Sequence, residues 1–201
     1  IAEDGGVATV TATLAHTHIR AVTVELGFSG TATLTEDYTR SDVQIVIPAG
    51  SLTGSVTVTA VQDTVYEGNE TVVVDITGVT NGTENGSQQA TTTIVDDDGP
   101  PTVTLTVDQA TIAENGGVAM FRATLSHAST QPVTVDVAFT GTATLTDDYT
   151  RSSTQIVIAP LALSGSVTVT AVQDTVYEGN ETVTAHIRAV MNGTENGVQQ
   201  A

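Results

Sequence analysis

Acidic side chains in this chain are concentrated in short stretches that interrupt apolar, alternating segments. Glu3 and Asp4 lie in one stretch, and Glu36 and Asp37 in the next. Asp63, Glu67 and Glu70 form a D-x-x-x-E-x-x-E element, and Asp96, Asp97 and Asp98 are consecutive. Carboxylates gathered in one place repel one another until some take up protons or a cation sits among them. The chemistry within reach is therefore coordination of a hard divalent ion by oxygen. Zinc is not expected, because cysteine is absent and the four histidines, His16, His18, His127 and His186, form no cluster. Catalysis is not expected either. No nucleophile elbow or phosphate loop is present, and a glycosidase would need two carboxylates facing a groove.

The overall balance agrees with a cation-binding role. Acids outnumber bases 23 to 5, for a formal net charge of −18, and every base is an arginine: Arg20, Arg40, Arg122, Arg151 and Arg188. Such a chain repels nucleic acid and anionic lipid, so neither is an expected partner. No apolar run reaches the ~20 residues of a membrane span. Disorder is excluded by a 39% hydrophobic content with abundant alternating Val, Ile and Thr. With only 3% aromatics, the core must be built from Val, Ile, Leu and Ala. A Cys-free, Lys-free, Thr/Val/Gly-rich acidic chain fits a secreted or surface protein of bacterial type, so an extracellular location is expected.

The chain repeats itself. IAEDGGVA at Ile1 recurs as IAENGGVA at Ile112, and GTATLTEDYTRS at Gly30 as GTATLTDDYTRS at Gly141. GSVTVTAVQDTVYEGNETV recurs unchanged at Gly54 and Gly165. The offset is 111 throughout, and residues 1–90 differ from 112–201 at 29 of 90 positions. That period suits a whole domain rather than a solenoid unit. Two domains are expected, 1–99 and 100–201, joined by the stiff DDDGPPT segment. The first copy has no counterpart of Thr102–Ala110 and the second none of Thr91–Gly99. Each is thus expected to lack one edge strand, through a boundary of the sequence or because a neighbouring chain supplies the strand.

Period-two alternation predicts seven strands per unit: A at Val103–Val107, B at Val7–Leu14, C at Val22–Phe28, D at Val43–Ile47, E at Ser55–Val61, F at Thr71–Ile76 and G at Thr91–Val95. The fold class is all-β, two tandem immunoglobulin-like sandwiches of about seven strands each. When successive strands reverse direction, the A–B, C–D and E–F loops and the segment after G share one pole. Ten carboxylates then meet there, against Glu84 alone at the other. Four loops distant in sequence converge, as a merely solvated acidic face would not require. Calcium, which accepts about six to eight oxygens in an irregular shell, is the cation that suits this pole; magnesium demands a tight octahedron.

These motifs resemble the Calx-beta repeat: IAENGG between strands A and B, GTAT…DY, DTVYEGNE, and the terminal IVDDD. The resemblance implies calcium ligands at Glu3, Asp37, Asp63, Glu67, Glu70, Asp96, Asp97 and Asp98, with the carbonyl of Val65. In the second copy it implies Glu114, Asp148, Asp174, Glu178 and Glu181, with the carbonyl of Val176. Calcium-sensing members carry a second acid just before the E–F aspartate, where this chain has Gln62 and Gln173. Fewer ions or weaker binding are expected for that reason. The second site is expected to be incomplete, since its copy has no acidic triplet.

The function expected is a calcium-binding extracellular structural or adhesion module in which the ions order the acidic tip and stiffen the interdomain join. Its partners would be calcium ions, neighbouring repeats of the same array, and an extracellular protein or glycan. The alternatives are a regulatory calcium-sensor pair and a carbohydrate-binding module, the latter disfavoured by the absence of Trp. Tyr38 and Tyr149 are expected to pack at the base of the C–D loop. Arg40 and Arg151 are read either as partners of a nearby carboxylate or as plain surface residues. Five N-x-S/T triplets, headed by Asn69, Asn81, Asn85, Asn180 and Asn192, are read as composition.

Overall fold

The computed structural model describes residues 1–201, and every regular element in it is a β-strand. Two compact units form: Ile1–Asp63 with Gly68–Asp98, and Thr64–Glu67 with Gly99–Ala201. Unit 1 contains β1 (Val7–Thr13), β2 (Val22–Gly30), β3 (Tyr38–Arg40), β4 (Gln44–Ile47), β5 (Thr53–Ala60), β6 (Glu70–Thr80) and β7 (Gln89–Ile94). Its two sheets have the orders β1-β5-β3 and β4-β2-β6-β7. Unit 2 contains β8 (Thr102–Val107), β9 (Val118–Leu125), β10 (Val133–Gly141), β11 (Tyr149–Arg151), β12 (Gln155–Ile158), β13 (Ser164–Ala171), β14 (Val183–Met191) and β15 (Thr194–Glu195). Its sheets have the orders β11-β13-β9-β8-β15 and β12-β10-β14.

Alternation accounts for the packing. Val22 and Val24 of β2, Val56, Val58 and Ala60 of β5, and Val72 and Val74 of β6 are buried, while the residues between them carry Thr, Ser or Glu outward. Strand A decides how thick the core becomes. In unit 2, β8 pairs with β9, and Val103, Leu105, Ala119, Phe121, Ala123 and Leu125 join a single buried cluster. In unit 1, β1 is an edge strand. Its inward residues Ala8, Val10 and Ala12 are only half-buried, and the core divides into two smaller clusters.

Two details differ from the strands expected. The segment read as strand D is divided. Tyr38–Arg40 pairs with β5 in one sheet and Gln44–Ile47 with β2 in the other, so the chain crosses between sheets at Ser41–Val43. Strand F also runs past Ile76 to Thr80 through a β-bulge. Glu25 opposes Gly78 while Leu26 opposes Ile76, which leaves Thr77 as the extra residue and turns Val79 onto the core. The same bulge in β14 leaves Arg188 as the extra residue.

Gly30 ends β2 at φ +123°, and a Cβ there would lie 2.1 Å from the carbonyl oxygen of Thr71. Gly141 is its counterpart at φ +142°. We expect Gly30→Ala to destabilise unit 1 by roughly 2 kcal/mol or more, from backbone strain plus the clash. Urea unfolding would measure this. An unchanged midpoint would show that the β2–β6 crossing can open without cost.

Candidate metal centre

Each acidic stretch reaches the site from a different element. Glu3 follows Ile1 and Ala2, which lie along the end of β7. Ala2 bridges Val95, the Val95 N–H donates to the Ile1 carbonyl at 2.8 Å, and the Glu3 N–H donates to the Val95 carbonyl at 3.1 Å. This pairing buries Glu3 to 6% exposure. Asp37 closes the turn before β3. Its Oδ2 accepts the Thr33 N–H and its own N–H donates to the Thr33 carbonyl, which leaves it 8% exposed. Asp63 follows β5, Glu70 opens β6, and Asp96–Asp98 follow β7.

These residues meet. Ligand oxygens of Glu3, Asp63 and Asp98 all lie within 4.8 Å of one another, and so do those of Asp37, Glu67 and Glu70. The Asp63 N–H donates to Glu3 Oε1 at 3.2 Å. Asp96 Oδ2 accepts the Gly68 N–H, and Asp96 Oδ1 accepts the Asp98 N–H at 2.8 Å. Asp97 is exposed, and its Oδ1 accepts from Gln62 Nε2 at 3.0 Å. Val65 is half-buried between Asp63 and Glu67. Of the ten acids expected at this pole, Asp4 and Glu36 are exposed and belong to neither group.

The electrostatics register the crowding. Glu70 is pushed from its ordinary 4.5 up to about 7, first by burial, then by its hydrogen bond to Asp37, then by the charges of Asp37, Glu3 and Asp96. Glu3 is raised by burial, with the Asp63 N–H acting against the shift and the charges of Asp96, Asp63 and Asp97 adding to it. Carboxylates of both oxygen groups thus feel each other's charge.

The second copy repeats half of this arrangement. Asp148, Glu178 and Glu181 bring ligand oxygens within 4.8 Å of one another. Glu178 is raised chiefly by the charge of Asp148, and Glu181 chiefly by desolvation. Asp148 is lowered chiefly by the Thr144 N–H. Glu114 accepts the Asp174 N–H at 3.3 Å and Gln173 Nε2 at 3.2 Å, but unlike Glu3 it is exposed. Asp174 is half-buried, its Oδ1 accepts the Val176 N–H at 2.7 Å, and Val176 is 60% exposed. No aligned counterpart of Thr91–Gly99 follows this copy, so nothing covers Glu114 as the β7 end covers Glu3.

Two residues read only as composition or as a departure take part. Asn69 Oδ1 accepts the Asp96 N–H at 3.2 Å. The Gln62 side-chain amide spans Asp97 Oδ1 and the Asp63 carbonyl. It supplies partial positive charge where an acid would have added to the repulsion. Asn69 stands beside Glu70 in sequence, the one available signal, and it is not specific. The arginines take neither expected role. The Arg40 guanidinium lies 4.5 Å from the Phe28 ring centroid and that of Arg151 lies 5.3 Å from Phe139, as cation–π partners. Tyr38 and Tyr149 are buried, at 4% and 6% exposure.

The Calx-beta domain profile matches the chain twice, over residues 1–98 and 96–201. No curated protein matches it. Among solved structures, the calcium binding domain CBD12 of CALX1.1 is similar at 18% identity and TM-score 0.44, covering 94% of this chain and 76% of that one. CBD12 from CALX1.2 is similar at 19% identity and TM-score 0.43, with the same coverage. With the profile matched over both copies, the chain belongs to the Calx-beta domain family.

Proposed function

We propose that the chain binds calcium at the acidic poles of its two repeats and serves as a structural module of an extracellular repeat protein. The observation that supports this reading most is the convergence of carboxylates from four separate loops into groups whose oxygens lie within 4.8 Å. The donor set fits the ion: it consists of carboxylates with carbonyls nearby and no sulfur or imidazole. Glu3, Asp63, Asp96, Asp97 and Asp98 would form one part of the first site. Asp37, Glu67, Glu70 and the carbonyl of Val65 would form the other. Asp148, Glu178 and Glu181 would hold an ion in the second copy, with Glu114, Asp174 and the carbonyl of Val176 alongside. A bound ion supplies the positive charge that the crowded carboxylates lack. The chain's own part is to hold those oxygens on strand ends that the sandwich keeps fixed.

The acidic triplet immediately precedes the Gly99-Pro100-Pro101 join. An ion held there restrains the segment that leads into the next repeat, so calcium would stiffen the array. Small-angle scattering tests this with the intact chain. Calcium should narrow the distribution of overall lengths relative to chelator, and magnesium should do so much less. Identical scattering in calcium and chelator would remove the stiffening role. A compact-to-extended switch at micromolar calcium would favour a regulatory sensor.

A further inference from the structure

Unit 2 includes the tetrapeptide Thr64–Glu67, and main-chain bonds hold it there. The Tyr66 N–H donates to the Ala128 carbonyl at 3.0 Å, and the Tyr66 carbonyl accepts the Thr130 N–H at 3.1 Å. Together these form a parallel bridge to Ser129, which is only 2% exposed. The same nonapeptide, QDTVYEGNE, recurs around Tyr177. There Tyr177 is 97% exposed and Val176 60% exposed.

A complementary surface occurs once more in the chain. Thr17–Ile19 aligns with Ala128–Thr130 at the 111-residue offset. One bond sets the backbone of both loops: the Gly50 N–H donates to the His18 carbonyl at 2.8 Å, and the Leu161 N–H to the Ser129 carbonyl at 2.8 Å. Ile19 is 89% exposed, and the neighbouring Arg20 is also exposed. Because the Tyr66 bridge uses main-chain groups, changing Ala-Ser-Thr to Thr-His-Ile leaves its donor and acceptor in place. Two large apolar side chains in water, each beside the matching half of a pairing already seen in the molecule, mark an interaction surface. Charge agrees, since Arg20 would approach the acids around Glu178.

We propose that Thr175–Glu178 is a docking strand for the B–C loop of another Calx-beta repeat, and that a second copy of this chain supplies that loop through Thr17–Ile19. The two surfaces differ, so the contact is head-to-tail and does not close at a dimer. It requires no metal ion and stands apart from the calcium reading.

The test is sedimentation velocity of the intact chain over a wide concentration range, in chelator and in calcium. The weight-average mass should rise with concentration in both and continue past the dimer. Tyr177→Pro removes the N–H at one surface and Ile19→Pro the N–H at the other. Each alone should weaken association roughly two- to tenfold, the size of one lost hydrogen bond. An equimolar mixture should recover a one-to-one complex that grows no further, because each variant keeps one intact surface. Concentration-dependent amide shifts of the unmodified chain, measured by NMR, check the same point without any variant. They should concentrate at Val176–Glu178 and Thr17–Ile19. A concentration-independent monomer, shifts confined to other strands, or no complex on mixing would overturn the proposal.

Discussion

Calcium at about a hundredfold excess over its dissociation constant should raise the melting temperature of the first repeat by about 10–20 °C, and that of the second far less. An ion that binds only the folded state adds RT ln(1 + [L]/Kd), roughly 3 kcal/mol at that excess. For a domain near 100 residues, each kcal/mol is worth about 4–8 °C. The first repeat has most to gain. It divides its core into two clusters around the edge strand β1, and it holds both oxygen groups, with Glu3 and Asp37 buried. The second repeat has the thicker core but one oxygen group, two of whose three members are exposed. Calorimetry in chelator and in calcium should therefore show two transitions that move by different amounts. Equal movement would contradict the asymmetry. The larger movement in the second repeat would reverse it.

Glu70→Gln should change stability in opposite directions with and without calcium. In the folded chain the Glu70 carboxyl titrates near 7, against an ordinary 4.5, because burial and Asp37 both disfavour its charge. Between those values the folded state binds more protons than the unfolded state, so raising the pH costs stability. Metal-free stability contributed by this group is fully present below about 4.5 and is lost as pH rises through about 7. Glutamine keeps the shape without the charge. At pH 8 the metal-free variant should be more stable than the parent by about 1 kcal/mol, a figure already reduced for the group's partial contact with solvent. It should also lose the decline across pH 4.5–7. In calcium the sign reverses. One charged ligand is gone, and affinity should fall at least about tenfold. Urea unfolding at pH 5 and pH 8, with chelator and with calcium, separates the two effects. A variant less stable than the parent under all four conditions would mean that Glu70 is a packing residue and not a ligand.

Much of this was readable in the residues themselves. Strands B, C and E stand out because Val and Ala alternate without interruption, as in VTVTA. The acidic pole follows from strand parity, since each loop's end of the sandwich depends only on the number of reversals before it. Other features were hidden for physical reasons. Tyr38–Arg40 is too short to show a period, and only its pairing with β5 reveals it. The continuation of strand F was obscured at Thr77, where the bulge shifts the phase so that Val79 replaces Gly78 on the inner face. Asn69 and Gln62 gave no signal, because uncharged amides occur in any loop and their roles arise only when Asp96 and Asp97 are folded beside them. The exposure of Glu114 against the burial of Glu3 depends on a main-chain pairing with Val95, which identical local sequence does not foretell.

The most direct test of the account is a calorimetric calcium titration of the intact chain at pH 7.5, repeated with magnesium. The account predicts saturable calcium binding in two classes, a tighter one lost in Asp63→Asn and a weaker one lost in Asp148→Asn, with magnesium a poor competitor for both. Even a weak extracellular module binds near about 0.1–1 mM. An absence of saturable binding up to about ten times that concentration would contradict it.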